Sequence, residues 1–167
     1  MKIDTEGLMT IYESDEEIAS LGTLILSRIQ VEQWIPKEKY PLISIRDVSE
    51  SPLSGEVKQK YLEVLDLCFS DVIESCLHPS WVLISNDDAE NLYNFFNKWI
   101  DKPMIIHCKG GVSRSAGVAV AKGIMEHDWL LVSKIISSDK FSPNPTVIRK
   151  MLAYTDMIGD NPLKRII

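Results

Sequence analysis

The sequence predicts an α/β fold with a central, mostly parallel sheet flanked by helices. Three observations carry that expectation. Short apolar runs of strand length (Leu42–Ile45, Leu62–Phe69, Met104–Ile106) alternate with longer stretches of helical periodicity such as Asp87–Ile100. The last strand candidate runs into a glycine-bearing loop and directly on into a helical run, Ser115–Met125. No repeat, low-complexity tract or linker divides the 167 residues, so a single domain over 1–167 is expected.

In chain order, Leu8–Tyr12 reads as a first strand and Ser14-Asp15-Glu16-Glu17 as a capped helix start. Leu24–Ile29 is apolar and fits either a strand or a helix. Leu42–Ile45 is a strand, Ser49–Gly55 a loop rich in Ser, Pro and Gly, and Leu62–Phe69 the next strand. Ser75–Ser80, with Pro79, is a turn region. Leu92, Phe95, Phe96 and Trp99 recur at helical spacing, and Ser85 or Asn86 caps that helix. Asp87 and Asp88 then fall in its first turn, where the helix dipole favours acids. The strand Met104–Ile106 follows, and the C-terminal third is helical: Ser115–Met125, Trp129–Ser137 and Val147–Met157. In such sheets the ligand site lies at the carboxyl ends of the strands.

Composition narrows the functional classes. Hydrophobic residues make up 45% and charged residues 25%, as in an ordinary globular protein. No apolar run approaches the roughly 20 residues that span a bilayer, so no membrane span is expected. Met1–Glu17 is acidic rather than basic and then apolar, unlike a secretory signal, and a cytoplasmic location is expected. The three cysteines show neither metal spacing nor a disulfide framework; no metal and no cofactor are expected. His78 and His127 read as surface residues, and Trp34, Trp81, Trp99 and Trp129 as packing residues. The net charge of −6 is unevenly spread: residues 1–100 carry 8 basic and 18 acidic side chains, residues 101–167 carry 10 and 6. Lys102, Lys109, Lys140, Arg149 and Lys150 are candidates for a basic rim that steers anions. There is no dense basic stripe with interleaved aromatics, so nucleic acid is not an expected partner.

The most informative stretch is His107-Cys108-Lys109-Gly110-Gly111-Val112-Ser113-Arg114-Ser115. A strand, a tight loop and a helix N-terminus build an anion cradle from unpaired N–H groups and the positive end of the helix dipole. Gly110 and Gly111 let the loop curl so that successive amides form a nest. Arg114 adds a planar fork that grips two oxygens of a phosphate monoester. Cys108 lies at the bottom with its sulfur aimed at phosphorus. The donors that bind phosphate also favour a thiolate, the nucleophilic form. His107 fixes the loop by hydrogen bonds rather than carrying protons, and Ser115 donates its hydroxyl to the sulfur.

This string resembles the signature of the cysteine-dependent protein tyrosine phosphatase superfamily, and its Gly-Val-Ser-Arg-Ser ending is most similar to the dual-specificity branch. Ser142-Pro143-Asn144, followed by the helical Val147–Met157, resembles the Ser-Pro-Asn segment after the signature in that branch. The resemblance spans about residues 42–157; Gly22–Ile35 has no counterpart in it. It implies an α/β, protein tyrosine phosphatase-like fold with the loop at a strand's carboxyl end. It further implies hydrolysis of phosphate monoesters on phosphorylated protein or peptide substrates. Cys108 is then the nucleophile and Arg114 the phosphate clamp. Lys109, Gly110, Gly111, Val112 and Ser113 supply backbone donors, Ser115 assists the leaving thiolate, and Asn144 supports the loop.

The family's general acid is an aspartate on a mobile loop upstream. Asp71 follows the strand Leu62–Phe69 and lies 37 positions before Cys108, close to the interval the family uses. Asp87 is the alternative; it and Asp88 sit only 21 and 20 positions away, in a helix start. Asp66 has strand context and suits an edge or a salt bridge, and Glu74 shares the loop of Asp71. A reversible disulfide from Cys68 or Cys76 to Cys108 would protect the nucleophile, with Cys68 favoured if its strand neighbours that of Cys108.

Loops around Asp47, Asp71 and Pro143 set the pocket depth that divides phosphotyrosine from phosphoserine, and a short chain suggests a shallow site that admits both. A phosphoinositide phosphatase is the closest rival, because Lys109 adjoins the nucleophile, although Gly111, Val112 and Ser113 offer no second basic residue. A catalytically silent phosphate-binding module is the other; such modules usually lack the cysteine or the arginine, and both stand here. Sulfurtransferases and arsenate reductases use related cysteine loops, but Ser113-Arg114-Ser115 and Ser142-Pro143-Asn144 argue against them.

Overall fold

The computed structural model describes residues 1–73 and 78–166. Its centre is one sheet of parallel strands in the order β1-β4-β2-β3: β1 Thr23–Ser27, β2 Leu42–Arg46, β3 Val64–Cys68 and β4 Met104–Cys108. The sheet is parallel throughout. Around it lie α1 Glu13–Ser20, α2 Arg28–Gln33, α3 Gly55–Lys58, α4 Asn86–Lys98, α5 Arg114–Met125, α6 Trp129–Ser137, α7 Pro145–Met157 and a 3-10 turn, Pro162–Ile166.

Strand periodicity divides the core. Ile25, Ile43, Ile45, Met104 and Ile106 face the layer of α4, α5, α6 and α7, whereas Leu24, Leu26, Leu42 and Ile105 face Ile3, Val31, Trp34, Tyr40 and Tyr61. β4 is buried at every position and β3, at the edge, is only partly so. Cys108 therefore shares the helical face with Ile106, and His107 points to the other. α5 is the central helix, buried from Arg114 to Gly123.

Local sequence accounts for the helix boundaries. Ser85 accepts from the backbone N–H of Asp88, and the Asp88 carboxylate accepts from that of Ser85, a reciprocal cap that starts α4. Asp128 caps α6, and Asn144 with Pro145 starts α7.

Three expectations are corrected or resolved. Leu8–Tyr12 is not a strand: the Leu8 N–H bonds to the Thr5 carbonyl, Thr10 has φ 60°, and Tyr12 is the N-cap of α1. Its apolar residues serve a draped segment instead, with Leu8 packed on the second core cluster and Met9 mostly exposed. The ambiguous Leu24–Ile29 is both elements at once. β1 ends at Ser27, whose hydroxyl accepts from Gln30 N and whose N–H donates to the Gln30 carboxamide, so the chain turns straight into α2. Among the tryptophans only Trp34 is fully buried; Trp81 and Trp129 stay largely exposed.

Candidate active site

Cys108 ends β4 and is 3% exposed. Its sulfur lies 3.1 Å from the hydroxyl oxygen of Ser115, in the first turn of α5. His107 beneath it is 1% exposed. Its Nε2 lies 2.7 Å from the Ser44 hydroxyl of β2, and its Nδ1 lies 3.4 Å from the Cys108 carbonyl. Burial holds its pKa at about 4, against the usual 6.5. The ring is therefore neutral at pH 7 and ties β4 to β2.

The protein holds the signature loop by its carbonyls. Lys109 O accepts from Arg28 N at the start of α2, Val112 O from Ser142 N, and Ser113 O from both Gly117 N and Asn144 N. A trans peptide sets each N–H opposite the preceding carbonyl. The amides of Gly110, Ser113 and Arg114 thus point away from these outer supports, towards the inside of the loop. Gly111, at φ 68°, passes so close to β1 that a Cβ would lie 2.6 Å from the Leu26 carbonyl carbon. Only glycine fits there. Gly117 has the same function towards the Ser-Pro-Asn segment, where a Cβ would stand 2.9 Å from the Asn144 carbonyl oxygen. Ser113, the N-cap of α5, makes no side-chain cap bond, so the helix dipole meets the loop uncapped by its hydroxyl.

Arg114 is buried, and its guanidinium is oriented from two strand ends. Nη1 donates to the Phe69 carbonyl at 2.9 Å, just past β3, and Nη2 to Asp47 Oδ2 at 3.1 Å, just past β2. Its Nε–H, also buried, has no acceptor among the described residues. Asp47 joins this candidate site through Arg114, and the sequence pointed to it only as part of a loop. It is fixed by Glu50, whose carboxylate accepts from Asp47 N at 2.8 Å. The signal was present as an acid at a strand's carboxyl end, but 67 positions separate it from Arg114.

Asp71 stands in the loop after β3 with an exposed side chain, and it reaches the signature loop. Its Oδ1 accepts from the Ser113 hydroxyl at 2.6 Å and from Asn144 Nδ2 at 2.7 Å. Both bonds fall on one oxygen. Asn144, 2% exposed, also accepts from Thr146 N and Val147 N with its Oδ1 and donates to Val72 O, so a single carboxamide joins the acid's loop to α7. Asp88 is committed to the Ser85 cap, and Asp87 shares that exposed first turn with no hydrogen bond to the loop among the described residues. Asp66 pairs with Lys58 at 2.5 Å on the edge strand. Glu74 and Cys76 lie outside the described residues.

The sheet order corrects the Cys68–Cys108 pairing. β2 lies between β3 and β4. Two strand spacings put the Cα atoms about 10 Å apart, beyond the roughly 7 Å a disulfide tolerates. The basic rim shrinks too. Lys102 precedes β4 and sits at the opposite end of the sheet, and Lys140 is bound to the buried Asp15. Lys109 remains exposed beside Cys108. Among the described residues no three His, Cys, Asp or Glu side chains are grouped to hold a metal, and no helix is long and apolar enough to cross a membrane.

The sequence matches no protein-family model and no curated protein. Solved structures do match. PTPMT1 in complex with PI(5)P superposes with a TM-score of 0.57 at 16% identity, over 87% of this chain and 94% of that one. Human DUSP28 gives 0.56 at 13% identity, over 83% and 94%. DUSP15 gives 0.55 at 18% identity, over 86% and 88%. At these identities the likeness is one of fold: the chain folds as the cysteine-dependent, dual-specificity-type phosphatases do.

Proposed function

We propose that this chain is a cysteine-dependent phosphatase, acting on phosphotyrosine in proteins and, through the same shallow site, on phosphoserine and phosphothreonine. The observation that carries the reading is the Cys108 thiol at the foot of a loop held by its carbonyls, beside a buried Arg114 whose Nε–H has no acceptor among the described residues. The Cys108 thiolate attacks phosphorus, and the ester P–O bond breaks. Protonated Asp71 gives its proton to the departing oxygen through Oδ2, since Oδ1 is occupied by Ser113 and Asn144. Water then attacks the cysteinyl-phosphate while Asp71 takes a proton from it, and the P–S bond breaks to release phosphate. Ser115 donates to the departing thiolate, and Arg114 with the loop amides neutralises the equatorial oxygens.

Phosphate release from p-nitrophenyl phosphate by the wild type, with a loss of about 10⁴-fold or more in Cys108→Ser, is the expected result. Orthovanadate, a mimic of the five-coordinate phosphoryl group, should compete. Turnover by both proteins, or by neither, overturns the reading, and the second case is the one a silent phosphate-binding module gives. A phosphoinositide phosphatase is the second reading, supported by the likeness to PTPMT1, solved with PI(5)P, and by Lys109 beside the nucleophile. Phosphate release from a phosphotyrosine peptide and from inositol phosphates, compared in one assay, separates the two.

A further inference from the structure

Beside the signature loop, on its β1 side, lies an open cleft of about 650 Å³. Gly110 and Val112 form its border with the loop, Met9 and Tyr12 of the draped N-terminal segment and Ile29 of α2 supply apolar walls, and Gln33 adds a carboxamide. Met9 is 64% exposed, Ile29 63%, Tyr12 54% and Val112 38%. Exposed apolar side chains scattered singly need no explanation, but four around one opening that adjoins a candidate active site do.

The wall is a built feature. Gln30 Nε2 donates to the carbonyls of Met9 and Thr10 at 3.4 and 3.3 Å, while its Oε1 accepts from Ser27 N. Thr10, at φ 60°, has a backbone conformation that L residues rarely adopt, and it turns the segment over the cleft. The far end is fastened by Lys140. Its ammonium pairs with Asp15, which is 1% exposed, and lies 5.0 Å from the centre of the Tyr12 ring and 5.2 Å from that of Phe141. Among the described lining residues Lys140 is the one cation, and that charge is already neutralised; its neighbour Asp139 is acidic. A second phosphate or an acidic side chain would find no partner here and would lose its hydration. An apolar group would displace water from apolar walls.

We propose that the cleft is a specificity subsite that receives a large apolar side chain, aliphatic or aromatic, flanking the phosphorylated residue of a peptide substrate. This rests on the phosphatase reading above and names its substrate class. A peptide suits the lining better than a phosphoinositide headgroup: Gln33 offers a donor and an acceptor to a peptide unit, and the further phosphates of such a headgroup need cations that the cleft lacks.

The test is a panel of phosphotyrosine heptapeptides. Each of the three positions on either side of the phosphotyrosine is occupied in turn by Ala, Leu, Phe or Asp. Hydrolysis is measured with wild type, Ile29→Glu and Met9→Glu; both sites are exposed enough to tolerate the change. p-Nitrophenyl phosphate serves as a phosphate ester without flanks, and dioleoyl phosphatidic acid in phosphatidylcholine vesicles as the lipid arm. At one or two positions Leu and Phe should exceed Asp by about tenfold in kcat/KM, and both variants should bring that ratio near one. A flat panel with good turnover of p-nitrophenyl phosphate overturns the subsite alone. So does a preference for Asp, a ratio untouched by both variants, or vesicle turnover that exceeds the best peptide. No turnover of any substrate overturns the phosphatase reading, and the subsite falls with it.

Discussion

On the β3 side of the signature loop, polar groups are already in hydrogen bonds with it: the Asp71 carboxylate accepts from the Ser113 hydroxyl, the Asn144 backbone N–H donates to the Ser113 carbonyl, and Asp47 accepts from Arg114. On the β1 side the loop borders an open cleft whose exposed walls are Met9, Tyr12 and Ile29. The sheet order generates the difference. β4 lies between β1 and β2, so the polar side is assembled from loops at the carboxyl ends of β2 and β3. On the other side β1 passes into α2 without a loop in which to place an acid. The polar side offers donors and acceptors fixed before any substrate arrives, which is what bond breaking needs. The apolar side offers surface that gains by losing water, which suits recognition.

The largest effect that tests this division is Asp71→Asn. Hydrolysis of a phosphoserine peptide should fall about 10²–10⁴-fold, the range for removing a general acid. p-Nitrophenyl phosphate should lose far less, because nitrophenolate departs without a proton. Unchanged phosphoserine turnover would remove the acid from the β3 side and return attention to Asp87.

The sequence made the loop itself legible because its parts are contiguous: strand, cysteine, glycines, arginine and helix within Met104–Met125. The order of strands and helices was legible from periodicity. What escaped depends on strand order, which no local pattern states. Asp47 meets Arg114 only because the ends of β2 and β3 converge on the guanidinium, and Cys68 misses Cys108 because β2 intervenes. Met9 and Ile29 face one cleft across 20 positions. Leu8–Tyr12 misled because an apolar alternation serves equally a strand and a segment draped over the core. Asp71 was singled out by its interval, and its tether to Ser113 and Asn144 was not visible in the sequence.

A smaller effect concerns the floor that the two sides share. His107, bonded to Ser44, is held neutral by burial with a pKa of about 4, while the unfolded chain titrates near 6.5. As pH falls through 6.5 the unfolded chain takes up a proton that the folded chain refuses until about pH 4. The contribution to stability is thus fully present above pH 6.5 and is lost between 6.5 and 4, reaching about 3 kcal/mol. Urea midpoints measured across this window should fall more steeply for wild type than for His107→Asn, which has nothing to titrate. Parallel slopes would mean that the folded imidazole takes up its proton as readily as the unfolded one, and that burial does not hold it neutral.

The smallest effect separates a positioning residue from a structural one. Ser113 and Asn144 share Asp71 Oδ1, so removing one hydroxyl leaves the carboxylate held by the other donor. Ser113→Ala should lower kcat for a phosphoserine peptide by about tenfold, the scale of one hydrogen bond to a charged group. KM should hardly move, because in the proposed reaction backbone amides and Arg114 grip the phosphate. The deficit should be larger for the phosphoserine peptide than for p-nitrophenyl phosphate, since only the poorer leaving group depends on a well-aimed proton. Ser113→Thr keeps the hydroxyl and should restore most of the rate. A loss that is equal for both substrates, or unrelieved by threonine, would mean that Ser113 shapes the start of α5 and does not aim Asp71. The polar side would then owe its order to Asn144 alone.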